Sequence, residues 1–243
     1  VAWQWKAGTS FTNDASSTSI GTIDSAGSAS DISGFSIVSF TGTGSNGTIK
    51  HGLSTAPNLF IIKRRDDDND WRTGSSALTN FVKHINLNTN ATESDLAAAF
   101  NSTGPTSSVF SVGTSPSTNA SGGTYIAYCF SNIKGYSKVG SFVSNDTVDN
   151  TFVYCGFKPA LLIAKSTTST NDWVILDNKR DTFNVAQHKS YPNANDAEAT
   201  SENDFDFLSN GFKLRNRYGA NTFIFMAFAE QPFVTSTGVP ATA

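Results

Sequence analysis

The sequence predicts an all-β protein built as two tandem sandwich-like repeats with short helical turns, and three observations predict it. The apolar content is aromatic and β-branched, with 19 Phe, 4 Trp and 6 Tyr against a single Met, a mixture that suits packed pleated sheets better than helix bundles. Short apolar or alternating runs are separated by clusters of Gly, Asn, Ser and Pro, the punctuation of strands and turns. The chain also repeats itself: Pro57, Leu59, Ile61, Lys63, Asn69, Asp70 and Trp71 recur as Pro159, Leu161, Ile163, Lys165, Asn171, Asp172 and Trp173 at a constant offset of 102. A unit of about 100 residues is a common sandwich length.

Taken in order, Ala2, Trp3 and Trp5 match Ala127, Tyr128 and Phe130 and read as the closing strand of an upstream copy. On that reading the chain is a piece of a longer repeat protein. Residues 7–33 are rich in Ser, Thr, Gly and Asp, the composition of a linker. The first repeat is expected over 34–133. Gly34, Phe35, Ser36, Val38 and Phe40 open it with an alternating strand, and Leu59 to Lys63 follow as a strand apolar on both faces. Thr92 to Phe100 carry the marks of a short helix, with Thr92 as N-cap and Glu93 and Asp95 in its first turn. Thr124, Tyr125, Ile126, Cys129 and Phe130 close the unit as a central strand.

The second repeat is expected over 134–234, opening on Gly135, Tyr136, Ser137, Val139 and Phe142 and closing on Thr222, Phe223, Ile224, Ala227 and Phe228. The offset slips to 98 at its far end, which places a loop deletion in this copy. Ala197 to Ala199 fill the slot of the short helix, and residues 235–243 read as a small, polar tail. Gly52 and Gly156 mark one turn in both copies.

Composition excludes several classes. Charged residues are 15% of the chain and the net charge is -3, so there is no basic stripe to release counterions from nucleic acid. No stretch approaches the roughly 20 apolar residues of a membrane-spanning helix. Cys129 and Cys155 are too few for a disulfide framework and lie in apolar strands, where buried free thiols are expected rather than a bridge.

Few constellations carry chemistry. Asp66, Asp68 and Asp70 place oxygen ligands at alternating positions, as Ca²⁺ requires. The second copy, however, has Ser and Thr there, and a charged hairpin tip is ordinarily just solvated. Trp71 and Trp173 each follow Asn-Asp and are candidate sugar-stacking platforms, although repetition is also what a packing residue shows. Asp177 and Asp181 could form a carboxylate pair for glycoside cleavage, but they share one loop with Arg180 and Lys179. His51, His84 and His188 stand at no metal-ligand spacing. No nucleophile elbow or phosphate-binding Gly loop is present, and no enzyme is expected.

The stretches Gly34 to Phe40, Pro57 to Lys63 with Trp71, Thr124 to Phe130, and Asp206, Phe207, Leu208, Ser209, Asn210, Gly211, Phe212 resemble a C-terminal repeat domain of large virion proteins from marine and cyanobacterial tailed phages. Ala2 to Gly8 look like the end of an upstream domain in those proteins, and Ala229 to Ala241 like their C-terminal tail. The resemblance implies a location in the virion, other virion proteins as partners, and no established catalytic or binding residue. The expected role is a tail fibre or related appendage that displays β modules for attachment to a host-surface glycan, with a homo-oligomer, commonly a trimer, as its assembly. A purely structural spacer or decoration protein and a polysaccharide-degrading tailspike are the alternatives.

Overall fold

The structure, a computed structural model, describes residues 2–201 and 203–231. The expected tail over 235–243 lies outside the described residues. The fold is all-β and sandwich-like, with several antiparallel sheets and, among the described residues, helices of four residues only. Two compact units divide the chain. The N-terminal unit is Gln4–Leu87 with Glu93–Ser131; the C-terminal unit runs from Asn132, and Ala2, Trp3 and Asn88–Thr92 cluster with it.

In the N-terminal unit the strands are β1 (Thr9–Asn13), β2 (Ser25–Ser30), β3 (Phe35–Thr41), β4 (Gly47–Lys50), β5 (Leu59–Arg64), β6 (Arg72–Ser75), β7 (Lys83–Asn86), β8 (Ser94–Asp95), β9 (Val109–Val112) and β10 (Thr124–Phe130). The helical turns are α1 (Ala15–Thr18), α2 (Ala97–Phe100) and α3 (Pro116–Asn119). One sheet has the order β1-β2-β3-β10-β5-β6-β7-β8, and β4 pairs with β9 in a second. Phe40, Phe60, Ile62 and Tyr125 from the first meet Ile49, Phe110 and Val112 from the second in one buried core.

The C-terminal unit contains β11 (Ser137–Val143), β12 (Phe152–Tyr154), β13 (Pro159–Ser166), β14 (Val174–Asp177), β15 (Phe205–Leu208), β16 (Gly211–Leu214) and β17 (Thr222–Ala229). Its sheets have the orders β11-β17-β13-β14 and β12-β16-β15. The core between them is built from Phe142, Leu162, Leu176, Phe223 and Phe225 on one side and Val153, Phe205, Phe207, Phe212 and Leu214 on the other.

The repeat survives as strand order: β3-β10-β5-β6 in one unit is β11-β17-β13-β14 in the other. Register is kept as well. Ile61 faces Thr73 and Ile163 faces Ile175, each at the offset of 102. Gly52 and Gly156 both adopt φ near +80°, at 81° and 83°, a left-handed turn that only glycine enters without steric cost. The offset falls from 102 to 98 in the loop that carries α3, which has no counterpart between β16 and β17.

Five expectations are corrected. Residues 9–30, expected to be linker, form β1, α1 and β2, and β2 pairs along the whole edge of β3. Small Ser, Ala and Gly side chains serve there because a strand needs backbone hydrogen bonds before it needs apolar side chains. Residues 2–8 form no strand, and Trp5 instead packs its ring 5.9 Å from Phe130 and 6.4 Å from Phe35. The helix expected from Thr92 starts only at Ala97, because Ser94 and Asp95 pair with β7. At the corresponding place in the second copy, Ala199 bridges to Lys189 instead of entering a helix. Finally, Tyr136 is an additional residue between turn and strand, so Ser137 rather than Tyr136 takes the place of Phe35 opposite the closing strand.

The core is held at constant volume by exchange across strands. Val38, Ala127 and Ile62 lie side by side in the N-terminal unit, where the C-terminal unit has Gly140, Phe225 and Ala164. Large-small-large has become small-large-small, and a Cβ on Gly140 would come within 2.9 Å of the Phe225 ring. Likewise Phe60 opposite Gly74 answers to Leu162 opposite Leu176. Close-packed interiors tolerate such divergence only when neighbours change together.

Candidate functional site

The repeated Lys…Asn-Asp-Trp motif builds the hairpin between β5 and β6 and its counterpart between β13 and β14. Lys63 Nζ donates to the carbonyl oxygens of Asn69 (2.6 Å) and Asp67 (3.1 Å). Lys165 Nζ donates to Ser169 O (3.1 Å), the residue equivalent to Asp67, and to Ser166 O. An ammonium thus gathers the loop carbonyls in both copies. Lys165 is fully buried, and burial pushes its pKa down to about 8.

That ammonium bears on the expected calcium loop. Asp66 turns to Arg64 (3.0 Å) and to the Thr124 amide, while Asp70 accepts from Asn86 (3.0 Å) and lies 3.7 Å from Arg72. Asp68 stays exposed at the tip. Among the described residues no three His, Cys, Asp or Glu side chains form a metal-holding group, so Asp66, Asp68 and Asp70 are not brought together.

The two tryptophans stand at equivalent places, each one residue before the strand that opens on Arg72 or Val174, yet differ in surroundings. Trp71 is half-buried and stacks on Tyr128 at 6.3 Å and 13°. Trp173 is only 2% exposed, which removes its indole as a stacking platform. The carboxylates Asp177 and Asp181 part company: Asp177 pairs with Arg180 (2.7 Å) and Asp181 with His188 (2.7 Å). Cys129 and Cys155 are free and buried, and burial pushes both thiols up to about 12.

What the motif does present is its Asn-Asp pair. Asn171 and Asp172 line a cavity of about 410 Å³ at one end of the C-terminal sandwich, with Thr170, Val174 and Lys189. Tyr191 and Tyr218 form half-buried walls, and Phe205 and Phe223 lie buried below them. Tyr218 touches both, 6.2 Å from Phe205 and 5.7 Å from Phe223 between centroids, so one aromatic surface is continuous. Asn193 sets the rim: its Oδ1 accepts from Trp173 N (2.7 Å) and its Nδ2 donates to Asp172 Oδ1 (2.7 Å). Lys189 is spent on Asp204 at 2.5 Å, inside the protein, and Asn216 holds the other oxygen of that carboxylate at 3.0 Å.

The N-terminal unit has this region filled. Register places Arg72 where Val174 stands. The bridges of Ile175 to Ser190 and Lys189 to Ala199 place His84 where Lys189 stands and Asn86 where Tyr191 stands. Arg72 crosses the space, donating to Ser117 of α3 (3.2 Å), Asn86 (2.8 Å) and His84 Nε2. Tyr125, equivalent to Phe223, ties α3 down by donating to Pro116 O (2.6 Å) and accepting from Ala120 N (2.7 Å). Burial, then the neighbouring Arg72 charge, pushes His84 down to about 4. Deleting α3 and replacing Arg72 and Tyr125 by Val174 and Phe223 therefore opens the cavity. A second concavity of the same volume exists in the N-terminal unit over β2, β3 and β10, but it is more open and lined largely by Ser, Thr and Asp.

The sequence singles out the motif through its tryptophans, whereas the cavity is lined by its Asn-Asp pair. The signal that could have found the cavity was the loop deletion combined with Arg72→Val and Tyr125→Phe between the copies. No curated protein and no solved structure matches the chain. One family model does, over residues 1–232, and so across both units: the chain belongs to the family described as a domain of unknown function, DUF7483.

Proposed function

We propose that the chain is a structural and adhesive component of a tailed-phage virion, part of a tail fibre or related appendage that is joined to other virion proteins and presents its C-terminal unit to a host-surface glycan. The observation that carries the adhesive half is the cavity opened in one repeat and plugged in the other. Its size falls within the range of small-ligand sites, and it combines aromatic walls with a few oriented polar groups at a sandwich end. The virion half rests on the resemblance of the repeated stretches. A low-charge surface rich in Ser, Thr and Asn fits recognition by hydrogen bonds and stacking rather than by electrostatic capture.

The test is a glycan array probed with the full chain and with Tyr191→Ala. Specific signals that disappear in the variant support adhesion. A flat response from the folded wild-type chain would leave the spacer role, and release of reducing ends from host polysaccharide would turn the reading to a tailspike.

A further inference from the structure

Resting on that glycan reading, we infer that the cavity of the C-terminal unit takes a neutral sugar ring in preference to an acidic one, with Asp172 as the residue that decides between them. Charge accounting at the cavity points this way. Three ionic side chains bear on it: Asp172 and Lys189 in the lining, and Lys165, which interacts electrostatically with Asp172. Lys189 is neutralised by buried Asp204. Lys165 is fully buried and committed to the hairpin carbonyls. Asp172 is held by a neutral amide, that of Asn193, whereas its counterpart Asp70 has Arg72 beside it. Val174 stands in place of that arginine.

The cavity thus offers a ligand one oriented carboxylate and no uncommitted cation. A carboxylate accepts hydrogen bonds from adjacent hydroxyls, and such charge-assisted bonds are roughly twice as strong as neutral ones. A sugar acid would bring a second negative charge into a partly dehydrated site and meet repulsion instead. Tyr191 and Tyr218 supply apolar walls for the C–H faces of the ring, with hydroxyls of their own for its edges. Asn193 contributes by fixing the plane of the Asp172 carboxylate before a ligand arrives, which lowers the ordering cost of binding.

The experiment is titration of the full chain with neutral hexose oligosaccharides and with matching uronic-acid and sialylated oligosaccharides, read by ligand-observed NMR and calorimetry. Wild type is expected to bind a neutral member at least tenfold more tightly than its acidic counterpart. Asp172→Asn is expected to weaken neutral binding by about tenfold, the loss of one charged hydrogen bond, and to shrink the neutral-to-acidic ratio, which a general loss of folding would not do. Val174→Arg, which restores the plugging residue of the other repeat, is expected to abolish binding. Because that variant could fail to fold, Tyr218→Ala, which removes one wall of the cavity, serves as a second test and is also expected to lose binding.

Equal or tighter binding of acidic sugars would overturn the inference while leaving adhesion intact. So would neutral binding that ignores Asp172→Asn, or that persists in folded Val174→Arg and Tyr218→Ala. Failure of the folded wild-type chain to bind any glycan would overturn the adhesive reading and this inference with it.

Discussion

The N-terminal and C-terminal units share strand order and register but spend their side chains differently. In the first, Arg72, His84, Asn86 and α3 fill the end of the sandwich with a polar network. In the second, Val174, Lys189 and Tyr191 leave that end hollow. The edge strands differ too. β3 is covered by β2, whereas the outer edge of β11 is covered at Val139 by one side chain: Asn132 Oδ1 accepts from Val139 N (2.6 Å) and Asn132 Nδ2 donates to Val139 O (3.3 Å). An asparagine that presents an amide to an edge backbone does the work of a strand and discourages edge-to-edge pairing. The four shared strands are therefore the scaffold, while loops and edges are free to diverge.

The largest expected effect tests whether the two cores are one design with exchanged volumes. Phe225→Ala should cost roughly 3–5 kcal/mol by leaving a cavity beside Gly140. Adding Gly140→Val and Ala164→Ile, which rebuilds the Val38–Ala127–Ile62 row, should recover part of that loss, whereas Gly140→Val alone should cost about 1–3 kcal/mol by overpacking. Denaturant midpoints of wild type, the three single variants Phe225→Ala, Gly140→Val and Ala164→Ile, and the triple variant would show it. Strict additivity would break the equivalence of the two rows.

The plug of the N-terminal unit should be sensitive to acid. The folded pKa of His84 is pushed to about 4, below its ordinary 6.5, so the unfolded chain binds the extra proton first as pH falls. Stability from this group is full above pH 6.5 and is lost progressively down to about 4, on the order of 3 kcal/mol in total. Protonation would also remove the acceptor that Arg72 uses. His84→Gln should flatten the pH dependence of stability in that window, and an unchanged profile would show that the plug does not depend on a neutral imidazole.

The smallest effect concerns the edge. Asn132→Ala should cost about 1 kcal/mol and raise concentration-dependent self-association, measurable by sedimentation or light scattering. A variant that stays monodisperse would mean that the rest of the β11 edge is protected without Asn132.

Much of the fold was legible because it is carried by apolar periodicity and repetition. The strands Leu59–Arg64 and Pro159–Ser166, the closing strands after Thr124 and Thr222, and the loop deletion could all be placed from residues alone. The Ser-, Gly- and Ala-rich β2 could not, since its pairing is made by backbone groups that every residue carries. The site was legible only as a motif. Asn-Asp-Trp was visible twice, but nothing in it says that Trp173 turns inward while Asp172 faces a cavity.

The all-β class, the duplication, and the places of the hairpin lysines and turn glycines follow from the order of residues alone, because those properties depend on local spacing and on one backbone conformation at a time. Which repeat is hollow emerges only from the packed sheets. That outcome depends on whether Arg72 or Val174, Tyr125 or Phe223, and the presence or loss of α3 act together on one volume, and residues far apart in the chain meet there only after the sheets have packed.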